Sequence, residues 1–275
     1  MDQFLTINGA KVHTNDTGGG FPLVFVHAGI ADSRMWDDQI KAFSQDYRVV
    51  TYDMRGYGQS PPAKEEFSHY EDLTALLDAL HIERCVLVGC SKGGGVAMDA
   101  ALAAPEKVAG LVISGGIAHG LELESEKEFK IPQYWEEAVA AFKADDLETA
   151  AEMEVRVWVD GFNQPVGRAA EAIREKVRMM DLIALQNEKK APEGLEKVME
   201  PKAGTRLNEF NMPVLFLCGS LDDDEIQVAH QEMAAKMPKA ELMILDGLAH
   251  MPNMEAPTTF NAILLDFVQG VTGKA

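Results

Sequence analysis

The chain has 275 residues, 47% hydrophobic and 25% charged, which suits one large α/β domain, or one domain with an insertion, and not a disordered segment. Its 25 Lys and Arg against 44 Asp and Glu leave a net charge of -19; that charge repels polyphosphate and excludes nucleic acid as an expected partner. No apolar stretch approaches the ~18 residues of a membrane span, and Met1 to Gly9 holds no basic region before an apolar run, so the expectation is a cytoplasmic protein with no membrane partner and an oligomeric state left open.

The first predicted element is an antiparallel hairpin. Phe4 to Ile7 and Lys11 to Thr14 flank Asn8-Gly9, a dipeptide that favours the positive φ angles of a type I′ turn. After Gly18-Gly19-Gly20, unbroken apolar runs follow at Leu23–Val26, Arg48–Thr51, Cys85–Val88, Val108–Ile113, Val214–Leu217 and Leu242–Leu245. Such runs predict strands covered on both faces. Helical stripes lie between them, clearest at Leu73, Leu76, Leu77 and Leu80 and at Phe260, Ile263, Leu264 and Phe267, and Ser68 to Glu71 has the pattern of a capping box. This alternation predicts a doubly wound, mostly parallel α/β sheet with an antiparallel hairpin at its start. It stops between about residues 117 and 207, a stretch rich in Ala, Glu, Lys and Met in helical patterns. The expected organisation is therefore a core of residues 1–116 and 208–275 interrupted by a helical insertion at 117–207. Within the insertion, Tyr134, Met153 and Trp158 are the candidates for lining a substrate pocket. Cys85, Cys90 and Cys218 form no Cys-x-x-Cys pair and sit in or beside apolar runs, so reduced core thiols are expected.

Chemistry concentrates in Val86 to Gly95, where a strand runs into Gly89-Cys90-Ser91-Lys92-Gly93 and then into a helix-compatible stretch. A serine there sits on a sharp turn that projects its hydroxyl from the sheet's edge, and glycine is needed at 89 and 93 because strand and helix come close. Ser91 is the candidate nucleophile. A phosphate loop is excluded, since it needs Gly-Lys-Ser/Thr in that order. The serine needs a base, and His250 is the candidate, lying after the last predicted strand and before the last helix. His13, His69, His81 and His230 fall in surface-like contexts, His119 opens the insertion, and His27 ends a buried strand as a structural residue. Asp222 closes the strand at 214–217 and is the candidate carboxylate behind His250, favoured over Asp223 and Asp224, which suit the first turn of the next helix. Oxyanion donors are expected from the backbone N–H of Lys92 and, in the loop His27 to Ile30, of Gly29 ahead of Ala28 or Ile30. Cys90 is expected to point into the core. This chemistry requires neither a metal nor an organic cofactor.

Together these residues resemble the α/β-hydrolase superfamily over nearly the whole chain. His27-Ala28-Gly29 is similar to its His-Gly oxyanion-loop motif, with Ala28 where glycine is usual; Trp36 and the run Asp53 to Ser60 are further landmarks, the latter bracing a turn. The insertion resembles the helical cap of that superfamily. Serine at position 91 departs from the haloalkane dehalogenases and epoxide hydrolases, which carry aspartate there. The resemblance implies an α/β-hydrolase fold and a carboxylesterase-like serine hydrolase that acts on a small-molecule ester or lactone. Carbon–carbon bond hydrolases and cofactor-free perhydrolases of the haloperoxidase type share the same triad and stay open, as does a slow-turnover ligand receptor on the same fold.

Overall fold

Asn8 and Gly9 both hold positive φ, 44° and 78°, and the turn they make joins β1 (Asp2–Ile7) to β2 (Ala10–Gly18) in antiparallel register. The computed structural model describes residues 2–125, 128–129 and 133–273. Six further strands follow: β3 (Pro22–Val26), β4 (Arg48–Tyr52), β5 (Cys85–Cys90), β6 (Val108–Ser114), β7 (Val214–Gly219) and β8 (Ala240–Leu245). They form one eight-stranded sheet in the order β1-β2-β4-β3-β5-β6-β7-β8, parallel from β4 to β8. Every strand expected from an apolar run is present.

Helices cover both faces, as parallel strands require. On one side α2 (His69–Ala79), α3 (Lys92–Ala103) and α7 (Asp224–Lys236) bury Leu73, Leu76, Leu77, Val96 and Met233 against Val24, Leu87 and Leu111. On the other, α1 (Asp37–Phe43), the short α8 (Pro252–Glu255) and α9 (Pro257–Thr272) bury Phe43, Met254, Phe260, Leu264 and Val268 against Leu23, Phe25, Val86 and Val88. Trp36 is fully buried there between Phe25 and Phe260, with ring centroids at 5.1 and 6.2 Å.

Two local expectations are corrected. Strand β8 is the sheet's edge, so Met243 and Ile244 are exposed instead of covered. Ser68 occupies the N-cap position of α2, but its side chain makes no capping hydrogen bond; the helix start is supported by Glu71 and Asp72 in its first turn, which complement the helix dipole.

Between β6 and β7 the chain inserts α4 (Gln133–Lys143), α5 (Leu147–Val155) and α6 (Glu171–Glu188). Helix α5 continues into a single π-helical turn, Arg156–Asp160, and Gly161 ends it at φ 102°. Part of the insertion packs on itself through Ala150, Ala151 and Leu185, while Val155, Val159, Val177 and Met180 join the core cluster on the α1 and α9 side. The inserted helices are thus seated on the sheet domain, above the C-terminal ends of its strands. Among the described residues, no helix is long and apolar enough to cross a membrane.

Candidate active site

Strand β5 delivers Ser91 to the tip of a tight turn, where φ 51° and ψ -120° place a non-glycine residue in strained backbone. The turn closes because strand and helix are nearly in contact. A Cβ on Gly89 would collide with the Gly93 carbonyl, and one on Gly93 with the carbonyl of Val26. Cys90, beside the tip, is fully buried; burial raises its thiol pKa, and its Sγ lies 3.8 Å from the His250 carbonyl oxygen.

His250 and Asp222 come from the loops after β8 and β7, and hydrogen bonds zip these loops together. Ser220 N–H donates to Leu245 O (2.9 Å), Leu221 N–H to Leu248 O (2.9 Å) and Gly247 N–H to Ser220 Oγ (2.9 Å). His250 Nδ1 consequently lies 3.0 and 2.9 Å from the two carboxylate oxygens of Asp222. The same carboxylate accepts the Asp223 N–H at 2.8 Å, and Asp223 in turn caps α7 by accepting from Glu225 N–H. The other imidazole nitrogen, Nε2, is buried and makes no hydrogen bond among the described residues. Both His250 and Ser91 line the same cavity.

The loop after β3 faces Ser91. The Ala28 N–H is directed to the thioether of Met35 (3.3 Å), whereas the amides of Gly29 and Lys92 meet no acceptor among the described residues. Gly29 lines the cavity, and a Cβ there would meet the Lys92 side chain at an ordinary 3.6 Å. Packing within the protein therefore does not require glycine at 29. Behind the loop, His27 is fully buried; Nδ1 donates to Ala28 O (2.8 Å) and Nε2 accepts from the Met54 N–H (2.9 Å), with burial lowering its pKa. Asp53 braces the same region, accepting from Ser33 N–H (2.9 Å) and Gln59 N–H (2.8 Å).

Two chambers meet at Ser91, Lys92, Trp158 and His250. The larger, about 560 Å³, extends under the inserted helices and is walled by Ile30, Tyr57, Phe67, Trp135, Trp158 and Leu185 with several charged groups. The smaller, about 280 Å³, is lined by Gly115, His119 and Ile226 on the far side. Trp158 stands on the π-helical turn with its ring 4.6 Å from that of His250, and Trp135 meets it edge to face at 5.9 Å. Of the three pocket residues expected from the sequence, Trp158 is at the cavity and the other two are elsewhere. Met153 is buried inside the insertion, and Tyr134 lies under the Arg156 guanidinium at 5.2 Å.

Sequence reasoning missed the charged wall of the larger chamber. Lys92 Nζ is paired with Glu196 at 2.6 Å, and Glu154, Asp181 and Glu188 line the same space. Their signal was present: Asp181, Ala184, Leu185 and Glu188 follow i, i+3, i+4, i+7 spacing on α6, a stripe in which acids replace two expected apolar positions. Burial, then the neighbouring carboxylates, hold Asp181 well above the usual carboxylate range, and Glu154 is raised to about 7 by burial and by Glu188.

The eight-stranded sheet, the serine turn after β5 and the helices inserted between β6 and β7 are those of the α/β-hydrolase fold. Residues 22–257 match the family model for the alpha/beta hydrolase fold, and the chain belongs to that family. It is 30% identical over 94% of its length to a 2-hydroxy-6-oxononadienedioate/2-hydroxy-6-oxononatrienedioate hydrolase of Paraburkholderia phymatum, covering 91% of that protein. It is 25% identical to 3-oxoadipate enol-lactonase 1 of Acinetobacter baylyi, with 95% and 93% of the two chains covered. Among solved structures, a thermophilic esterase from Thermogutta terrifontis superposes with a TM-score of 0.78 at 23% identity, over 98% of this chain and 99% of the esterase.

Proposed function

We propose that the chain is a serine hydrolase that cleaves a small carboxylic ester or lactone through Ser91, His250 and Asp222. The observation that carries this reading is the His250 ring, its Nδ1 on the Asp222 carboxylate and its buried Nε2 without a partner beside the cavity that Ser91 lines. With Nδ1–H donated to Asp222, Nε2 is the basic nitrogen and takes the Ser91 proton as Oγ adds to the carbonyl carbon. The negative charge that develops on the carbonyl oxygen is met by the N–H groups of Gly29 and Lys92. Collapse of the tetrahedral species breaks the bond to the leaving oxygen, which receives the proton from the imidazolium. Water, deprotonated by the same Nε2, then attacks the acyl-enzyme and releases the acid.

Ester and lactone chemistry is favoured over cleavage of a carbon–carbon bond in a dicarboxylate, the type of substrate that the name of the Paraburkholderia relative denotes. The larger chamber offers an anionic substrate no unpaired Arg or Lys, since Arg55 and Lys92 are held by Asp72 and Glu196 and carboxyl groups line the rest of the wall. The test is release of p-nitrophenolate from p-nitrophenyl esters of graded acyl length. Ser91→Ala is expected to lower kcat by at least about 10³-fold while the melting temperature changes little. A variant that retains wild-type turnover would overturn the mechanism.

A further inference from the structure

The larger chamber is more acidic than a site for a neutral ester needs. Its two basic side chains are already answered, Arg55 by Asp72 at 2.5 Å and Lys92 by Glu196 at 2.6 Å. Four more carboxyl groups remain on its wall, Glu154 from α5, Asp181 and Glu188 from α6 and Glu193 just beyond it, and none makes a hydrogen bond or ion pair among the described residues. Asp181 is the decisive one. The residue is 1% exposed, its Oδ2 is fully buried, and that oxygen has no hydrogen-bond partner. Buried polar atoms are nearly always partnered, and a buried carboxyl group that lines a cavity without a partner marks where a donor is missing. Trp135 and Trp158, edge to face on the same chamber, add aromatic surface that attracts cations.

We propose that this chamber receives the cationic end of the substrate, a protonated amine carried on the ester or lactone that Ser91 attacks, with Asp181 and Glu154 as its acceptors. The proposal rests on the hydrolase reading and narrows its substrate class. A protonated amine fits better than a quaternary ammonium because the unpartnered Asp181 carboxyl group calls for an N–H donor. A bound ammonium also reverses the electrostatics of the empty chamber. Burial and mutual repulsion disfavour ionised Asp181 and Glu154 there, and a cation between them favours the ionised forms.

The experiment compares three p-nitrophenyl esters that share a scissile bond and chain length and differ only in the terminal group: 6-aminohexanoate, heptanoate and the monoester of adipate. Enzyme-free release is subtracted. The expected order of kcat/KM is ammonium, then neutral, then carboxylate, with the ammonium ester preferred over the neutral one by about ten- to hundredfold, as charge-assisted hydrogen bonds give. In Asp181→Asn, and to a smaller degree in Glu154→Gln, the ratio falls toward one, with melting temperatures recorded to establish that both variants fold. A ratio at or below one in the wild type, or a preference unchanged in both variants, overturns the proposal. A second measurement needs no turnover. Hexylamine is expected to quench tryptophan fluorescence of the Ser91→Ala protein saturably, hexanol far less, and Asp181→Asn added to Ser91→Ala is expected to weaken the amine. Amine binding without ester turnover by wild-type protein would sink the hydrolase reading and uphold the site. Turnover of neutral esters with neither amine preference nor amine binding would sink the site and uphold the hydrolase reading.

Discussion

His250 is held by what lies beside it as much as by Asp222. Gly115, at φ 63°, follows β6 directly beside the imidazole, and a Cβ added there would stand 2.6 Å from Cε1 and 2.7 Å from Nδ1. Gly115→Ala is therefore expected to fold, at a cost of about 1 kcal/mol for the left-handed backbone, and to push the ring from its place. A displacement of that size lowers kcat/KM by about 10²-fold. Assays on p-nitrophenyl esters beside a thermal melt check this, and unchanged activity in a folded Gly115→Ala protein would show that the ring does not need this seat. Ser91, Asp222 and His250 were legible as candidates because each sits in a short segment at the end of an apolar strand. Three of the other histidines were not. His13, His69 and His230 sit in polar or helical sequence but are buried, His13 between Asp2 and Asp53 and His230 against the Gly116 carbonyl at 2.9 Å, with burial lowering His230 to about 4. Their partners lie far away in the chain, and only the tertiary fold supplies them.

The π-helical turn after α5 ties the inserted helices to the loop that carries His250. Arg168 donates through Nε to Asp160 O and through Nη2 to Val159 O (2.9 Å), so it closes the end of the turn. It also reaches Gly247 O at 3.2 Å and pairs with Glu255 at 2.5 Å, while the other oxygen of Glu255 accepts the Ala249 N–H at 2.8 Å. Removing Arg168 leaves the Glu255 carboxylate, 6% exposed, without its cation. Arg168→Met is expected to destabilise the fold by about 3 kcal/mol and to lower kcat as the Ala249-His250 segment loosens. Arg168→Met combined with Glu255→Gln is expected to recover most of the melting temperature, because the uncompensated charge is gone. A melting temperature unchanged in the single variant would remove the clamp from the account. The strands and the helical character of the insertion were readable from periodicity. The π turn was not, since Val155 to Asp160 continues an ordinary helical pattern, and which side chains it turns toward His250 depends on the one-residue widening that periodicity does not report.

The acidic side chains behind the formal charge of -19 do not all face solvent, because some are folded inward. Glu154 and Asp181 are brought together only when α5 and α6 pack above the sheet, and the same helices put Glu188 beside them. This convergence has a consequence for stability. A carboxyl group whose folded pKa is raised contributes most below its unfolded value of about 4.5, and that contribution is lost as pH rises toward the folded value. For Glu154, raised to about 7, the loss runs from about pH 4.5 to 7 and is on the order of 3 kcal/mol; Asp181 is shifted in the same direction. Glu154→Gln is therefore expected to melt several degrees above the wild type at pH 8, with the two curves drawing together by pH 5. Denaturation midpoints across this range test it, and a gap independent of pH would show that Glu154 ionises freely in the folded protein. An alkylammonium ligand stays protonated throughout the range, so it should stabilise the wild type more at pH 8 than at pH 5. In Glu154→Gln that difference should shrink, because the cation then has one less carboxylate to ionise.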